Sequence, residues 1–314
     1  MINFDQNELS PEMKLKLTLL FAVGFTLNSL SQNLTFVMDS IMNVYMKNGY
    51  ANEHFRPKGK EDSKGNRQGN WKDYEVSEDF MYLTENDIPI RLVGLYLLYG
   101  EGKFVDSLRE GPWKFYVLED KTFRKILQKE VTYTKGKKTG AYTYFFPNGK
   151  VSMTGSFDEN KMTEVKVYYE DGKLFRSTFV LAGKRTGKST NFYPDGKPML
   201  ECTYMNDTLN GSFHSYYPNE KDEEVSFFKM GQPDGTYKYY HENGQLWIEK
   251  EYSNGLLLNV KCNYDESGKL RDPGTLKDGN GTIYYYTRTG YVYNVQTYKN
   301  GVMISEAAKS EFDR

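Results

Sequence analysis

The chain has 314 residues, with 27 Tyr, 19 Phe and 28 Gly against 6 Ala. Aromatic side chains suit a pleated, half-buried surface while Ala leads the helix scale, so the imbalance excludes an all-α bundle or coiled coil and predicts a mainly β chain. Lys plus Arg at 41 against Asp plus Glu at 42 leaves a net charge of -1, so no field draws the chain to phosphate, and nucleic acid is not an expected partner.

At the N-terminus, Met13, Lys14, Leu15 and Lys16 precede a stretch, Leu17 to Met38, without a charged residue. A basic start, the apolar run LTLLFAVGFTL and then small residues make the pattern of a signal peptide, with the cut expected after Ser31. Residues 1–31 are thus expected to be an early start plus a signal peptide from a true start at Met13. The mature chain is expected to be exported to the periplasm, the cell envelope or the exterior, with no transmembrane span, because the apolar run falls short of the ~20 residues a membrane helix needs. Residues 32–68 read as an N-terminal segment ending in a polar loop, KGKEDSKGNR from Lys58 to Arg67.

The rest of the chain repeats. GAYTYFFPNGK from Gly140, GKSTNFYPDGK from Gly187, GSFHSYYPNEK from Gly211, GTYKYYHENGQ from Gly235 and GTIYYYTRTGY from Gly281 share one phase. TEVKVYYEDGK from Thr163 and NVKCNYDESGK from Asn259 keep it without the leading Gly, so consecutive starts from 140 to 281 lie 22 to 24 residues apart. Residues 140–304 are the regular repeats. Residues 69–139 hold degenerate ones, recognisable at Gly69, Val93 and Gly111. Residues 305–314 form a helix-friendly tail, SEAAKSEFDR.

Counting each repeat from its first residue as zero, an aromatic ring recurs at offset 5 and a second apolar site at offset 17, held by Phe157, Val180, Tyr204, Phe228, Tyr252 and Tyr298. Between them lies a tetrad such as PNGK or PDGK, whose Asn-Gly or Asp-Gly suits a two-residue hairpin loop. Each repeat is therefore expected to be a β-hairpin. The fold class is all-β: an elongated stack of hairpins of about 24 residues each, forming an extended, twisted antiparallel sheet. The run Arg271, Asp272, Pro273 and Gly274 should break the second strand of the repeat from Asn259, because Pro removes a ladder hydrogen bond.

From Gly140 to Gly301 the repeated G-x-Y-x-x-Y-Y-P-N-G-K and Y-x-N-G elements resemble the variant MORN repeat of bacterial proteins, a family often labelled antitoxin-like. The resemblance implies a stacked-hairpin sheet and a role in binding or scaffolding, with no shared active site. The Y-x-G-x-W pattern of the family's eukaryotic relatives is poorly kept.

Two rows of rings are the candidate sites. Phe145, Tyr168, Phe192, Tyr216, Tyr240, Tyr264 and Tyr286, at offset 5, read as a structural aromatic ladder forming the core. Strand alternation puts offset 6 on the opposite face, so Phe146, Tyr169, Tyr193, Tyr217 and His241 form the candidate ligand-binding stripe, unless the sheet curls to bury both. Cys202 and Cys262 lie five strand steps apart, about 24 Å, too far for a disulfide; both are expected to be buried thiols. Three His and two Cys build no zinc cage, and His54, His214 and His241 are scattered, so no catalytic residue, metal or cofactor is expected. The reading is a non-enzymatic, exported module binding or scaffolding a protein partner. Its alternatives are an antitoxin or immunity protein that neutralises a toxin, and a cell-wall or glycan binder, which the low count of Trp (Trp71, Trp113 and Trp247) disfavours.

Overall fold

The computed structural model describes residues 58–85, 88–118 and 124–309, with side chains outside 74–97. The expected signal peptide, at about 13–31, lies outside the described residues. Among the described residues there are twenty strands and no helix, so the all-β expectation is met. The chain divides into two compact units, up to Asn160 and from Lys161.

The first unit is a meander of β1 (Lys58–Glu61), β2 (Arg67–Glu85), β3 (Ile88–Val105), β4 (Leu108–Leu118), β5 (Lys125–Thr134), β6 (Lys137–Phe145) and β7 (Val151–Asp158), each antiparallel to the next. In the second, β8 (Lys161–Tyr168), β9 (Leu174–Leu181), β10 (Lys184–Phe192), β11 (Pro198–Met205), β12 (Thr208–Tyr216) and β13 (Asp222–Lys229) continue that pattern. It runs on through β14 (Gln232–Pro233), β15 (Gly235–Tyr240), β16 (Leu246–Ser253) and β17 (Leu256–Asn263). A separate three-stranded sheet of β18 (Gly281–Tyr286), β19 (Val292–Lys299) and β20 (Val302–Ala308) follows.

Each regular repeat except the one from Asn259 supplies two strands, as its pattern predicts. The two kinds of turn, however, exchange roles. The two-residue loops join one repeat to the next, with both residues at positive φ, as at Asn254 (φ 45) and Gly255 (φ 83) or Met230 (φ 49) and Gly231 (φ 81). That is the geometry whose twist matches the flanking strands. The PNGK tetrads lie instead in five-residue loops. Phe146 N–H donates to the Lys150 carbonyl and Gly149 N–H to the Phe146 carbonyl, so Gly149 alone takes positive φ, at 85. Asn148 contributes through its side-chain oxygen, which accepts from Lys150 N–H at 3.0 Å.

The leading Gly has a backbone reason. Gly69, Gly111, Gly140 and Gly187 all have φ between 65 and 74, a region costly for residues with a Cβ. A register shift recurs between offsets 4 and 5, for example at Tyr144/Phe145, Val167/Tyr168, Asn191/Phe192 and Tyr239/Tyr240.

The core lies on the even offsets. At offsets 2 and 4, Trp113 and Phe115, Tyr142 and Tyr144, Val167 and Ile283 are buried. Offset 2 meets the second-strand row: Tyr142 lies 4.7 Å from Phe157, Tyr237 4.7 Å from Tyr252 and Phe213 5.6 Å from Phe228, centroid to centroid. Burying one such side chain stabilises by roughly 2–3 kcal/mol. The opposite face carries exposed ion pairs such as Lys114–Glu130 at 3.0 Å and Lys188–Glu201 at 2.7 Å, each worth little.

The degenerate repeats depart most from expectation. Val93 starts no repeat: it lies inside β3, which pairs with β2 from Gly69↔Phe104 to Glu85↔Ile88. Its GEGK is no turn, because Gly102 passes under the Trp113 ring, where a Cβ would overlap the indole. The Arg109 guanidinium also stacks on that ring, 4.7 Å from the centroid, and Trp113 Nε1 donates to the Lys103 carbonyl at 3.1 Å. Trp71 repeats the arrangement with Gly59, Arg67 and the Lys60 carbonyl. Thus the segment read as a polar loop includes β1, the strand on which Trp71 packs. At the other end, Ser305–Ala308 belong to β20 rather than to a helix, since pairing with β19 overrides local propensity.

Candidate functional site

The five-residue turns of successive repeats are tied edge to edge. Tyr169 Oη donates to the Phe192 carbonyl at 2.7 Å, Tyr193 Oη to Tyr216 at 2.6 Å and Tyr217 Oη to Tyr240 at 2.8 Å. His241 Nε2 makes the same contact to the Tyr264 carbonyl at 2.8 Å. Two positions down the turn, Asn219 donates to the Glu242 carbonyl and Asn243 to the Glu266 carbonyl.

This places the two rows of rings. In the offset-6 stripe, Phe146 is 1% exposed and Tyr169 5%, so those rings do not face solvent. Tyr193, Tyr217 and His241 are half-buried with their polar atoms committed to the next repeat. The offset-5 ladder is not the core either: Phe145, Tyr168, Phe192, Tyr216, Tyr240, Tyr264 and Tyr286 are all half-buried. Offset 5 is odd, and alternation groups offset 6 with the buried offsets 2 and 4.

Members of both rows also share a concavity. It measures about 620 Å³, lies in the second unit and is lined by Tyr217 and His241, by Tyr240, Tyr264 and Tyr286, and by Glu242, Trp247, Asn263 and Arg271. It exists because the repeat from Asn259 is interrupted, as Pro273 predicts. Beyond β17 the chain forms only the bridges Tyr264↔Leu270 and Lys277↔Asn280 before β18. Leu276 anchors this loop in a cluster with Ile248, Leu257 and Ile283.

The loop organises its own charges. Asp265 accepts from Ser267 Oγ at 2.6 Å, Ser267 N–H at 2.9 Å and Lys269 N–H at 3.0 Å. The Ser267 hydroxyl above all holds its carboxyl down at about 2. Arg271 donates to the carbonyls of Thr287 at 2.9 Å and Arg288 at 3.3 Å and to Asp265 at 3.4 Å. Arg288 donates to Glu266 at 2.9 Å. The Glu242 carboxylate makes no hydrogen bond or ion pair among the described residues. Asn263, 1% exposed, donates Nδ2 to the Tyr284 carbonyl at 3.0 Å, while its buried Oδ1 has no partner. The Trp247 ring lies 5.8 Å from His241.

A family model for the MORN repeat variant matches residues 138–159, 185–206 and 233–254. Three of these hairpins are MORN repeat variants. Each match opens two residues before the leading Gly and closes in the two-residue turn to the next repeat, spanning β6–β7, β10–β11 and β14–β16. No curated protein matches the chain. MORN repeats are in general protein- or membrane-binding modules. Among the described residues, no helix is long and apolar enough to cross a membrane, and no cluster of His, Cys, Asp and Glu could hold a metal ion.

Trp247, Asn263, Glu242 and Arg271 escape the sequence reading. Asn263 occupies offset 4, where Phe115, Tyr144, Val167, Tyr239 and Tyr285 stand in other repeats, but Asn191 and Ser215 share that offset, so the position alone does not single it out. His214 also has partners: Nε2 lies 2.8 Å from Asp222 and Nδ1 2.9 Å from Tyr216 Oη. These three residues do not line the concavity. Cys202 and Cys262 are free, as expected; Cys202 is buried, but Cys262 is half-buried because offset 3 faces outward, opposite Glu249.

Proposed function

We propose that the chain is an exported, non-enzymatic binding module whose MORN-variant hairpins hold a protein partner. One observation carries this reading: the turn edge closes on itself from Tyr169 to Tyr264 and then opens, at the interrupted repeat, into a ring-lined concavity. Concave, partly apolar sites with a few placed polar groups are where proteins take ligands. The Ser267 hydroxyl that lines it donates to Asp265 as part of a turn in which two backbone N–H groups bind the same carboxylate. Export is supported by the basic-then-apolar pattern over residues 13–31.

The test is recovery of the native protein from fractionated cells. A stoichiometric protein partner, with the mature chain starting at Gln32 outside the cytosol, is the expected result. A cytosolic chain with an uncut N-terminus overturns export, and a chain recovered alone from every fraction overturns the partner. A toxin as that partner makes the module an immunity protein.

A further inference from the structure

We propose that the concavity at the interrupted repeat receives a lysine or arginine side chain presented by the partner. The proposal rests on the protein-binding reading above and adds the chemistry of recognition.

The Arg271 guanidinium of the site is already committed, while that of Arg288 stands 87% exposed with its Nε–H alone bound. Arg271 is held by the Thr287 and Arg288 carbonyls and Asp265, and the Arg288 Nε–H by Glu266. Two further groups accept. Asn263 Oδ1 is buried without a donor, although a buried amide oxygen normally finds one because leaving it bare costs about 1–3 kcal/mol. Its own Nδ2 is fixed by the Tyr284 carbonyl, which leaves the oxygen as the free end. Glu242 brings a carboxylate without a counter-ion. His241 gives its Nε2–H to the Tyr264 carbonyl, so it has no Nε2–H left for a ligand.

Around these acceptors stand the rings of Trp247, Tyr264 and Tyr286, whose faces attract cations. The chain already uses such pairs: Arg271 lies 5.2 Å from the Tyr286 ring centroid and Arg185 4.1 Å from that of Tyr204. A neutral sugar, whose hydroxyls give and take hydrogen bonds, would find the Arg271 donors already engaged. An ammonium or guanidinium needs only acceptors and ring faces, and both are present.

The experiment titrates the full chain with a blocked tri-lysine peptide, its Nε-acetylated form and maltotriose, by calorimetry and by tryptophan fluorescence. The peptide is expected to bind and perturb the fluorescence of Trp247, the one Trp of the three in this site, with acetylation weakening binding about tenfold or more. Asn263→Leu should weaken binding about tenfold and Glu242→Gln about fivefold, with thermal unfolding as cooperative as in the parent. Glu242 sits in an exposed turn, so its variant keeps the test open should Asn263→Leu fail to fold. Equal binding of the acetylated peptide, tighter binding of maltotriose, or unchanged affinity in Glu242→Gln would overturn the proposal. So would a lack of tri-lysine binding by a chain that still captures its protein partner, an outcome that leaves the protein-binding reading standing. Tri-lysine binding by a chain that captures no protein would do the reverse.

Discussion

The repeats from Gly111 and from Gly187 share a frame but are built differently. In the first, Trp113 and Phe115 at offsets 2 and 4 are fully buried, with Gly102 beneath the indole and Arg109 stacked on it. In the second, the same offsets hold Ser189 and Asn191. There Arg185, the counterpart of Arg109, turns to the Tyr204 ring and to Asp207 at 3.0 Å. The repeat that is degenerate by sequence thus has the stronger aromatic core, and this one of the three repeats that the family model matches has a polar one. Regularity marks the turns and the contacts that couple one hairpin to the next, while core strength follows the residues at offsets 2 and 4.

The largest expected effect tests the aromatic side. Gly102→Ala forces a methyl group into the Trp113 ring and should cost about 2–4 kcal/mol in denaturant unfolding. At Gly187, φ is 70 and the space a Cβ would take is open, with nothing within 4 Å, so Gly187→Ala should cost only about 1–2 kcal/mol of backbone strain. Equal costs would break the contrast. Next comes the coupling between repeats: Tyr217→Phe removes the donor to the Tyr240 carbonyl and should lower stability by about 1 kcal/mol, read as a shift in the denaturation midpoint. On the polar side, Thr178 is buried with its hydroxyl unpartnered. Thr178→Val, of nearly the same shape, should raise stability by about 1 kcal/mol by removing that bare hydroxyl.

A separate test is in pH, on the buried lysine and tyrosines of the second unit. Burial pushes Lys250 from its ordinary 10.5 down to about 8. Below pH 8 the lysine is charged in both folded and unfolded chains, and its burial weighs on the fold in full. Between about 8 and 10.5 it is neutral when folded and charged when unfolded, so the unfolded chain binds more protons and stability rises with pH. Burial also pushes Tyr252 up to about 12, and Tyr239 and Tyr285 in the same direction. Above pH 10 the unfolded tyrosines ionise while the folded ones stay neutral, so stability falls. Thermal unfolding should therefore peak near pH 10, and Lys250→Met should flatten the rise below it without removing the fall above it.

The repeat period, the hairpin in each repeat and the break at Pro273 are legible in the sequence because turn chemistry is local. A positive-φ position favours Gly or Asn, even though Met230 and Ala182 also take one, and Pro cannot donate. The identity of the core face is not legible from recurrence alone. Rings at offset 5 recur more faithfully than those at offset 2, where Trp71, Trp113, Tyr142, Phe213 and Ile283 vary in kind while sharing one face. The role of Gly102 is not legible either, because a glycine that admits an indole looks, in one dimension, like a glycine that bends the chain. The concavity is harder still, since Asn263, Trp247 and Arg271 meet only through the loop that replaces a strand.

Hydrogen exchange on the full chain, with and without the blocked tri-lysine peptide, tests most directly the claim that core strength and binding reside in different repeats. The amides of β4–β6 should exchange slowest and ignore the peptide, while those of β16–β18 and the loop from Tyr264 to Asn280 should exchange faster and slow when it binds. Uniform protection across both regions, or peptide-induced protection centred on β4–β6, would contradict the account.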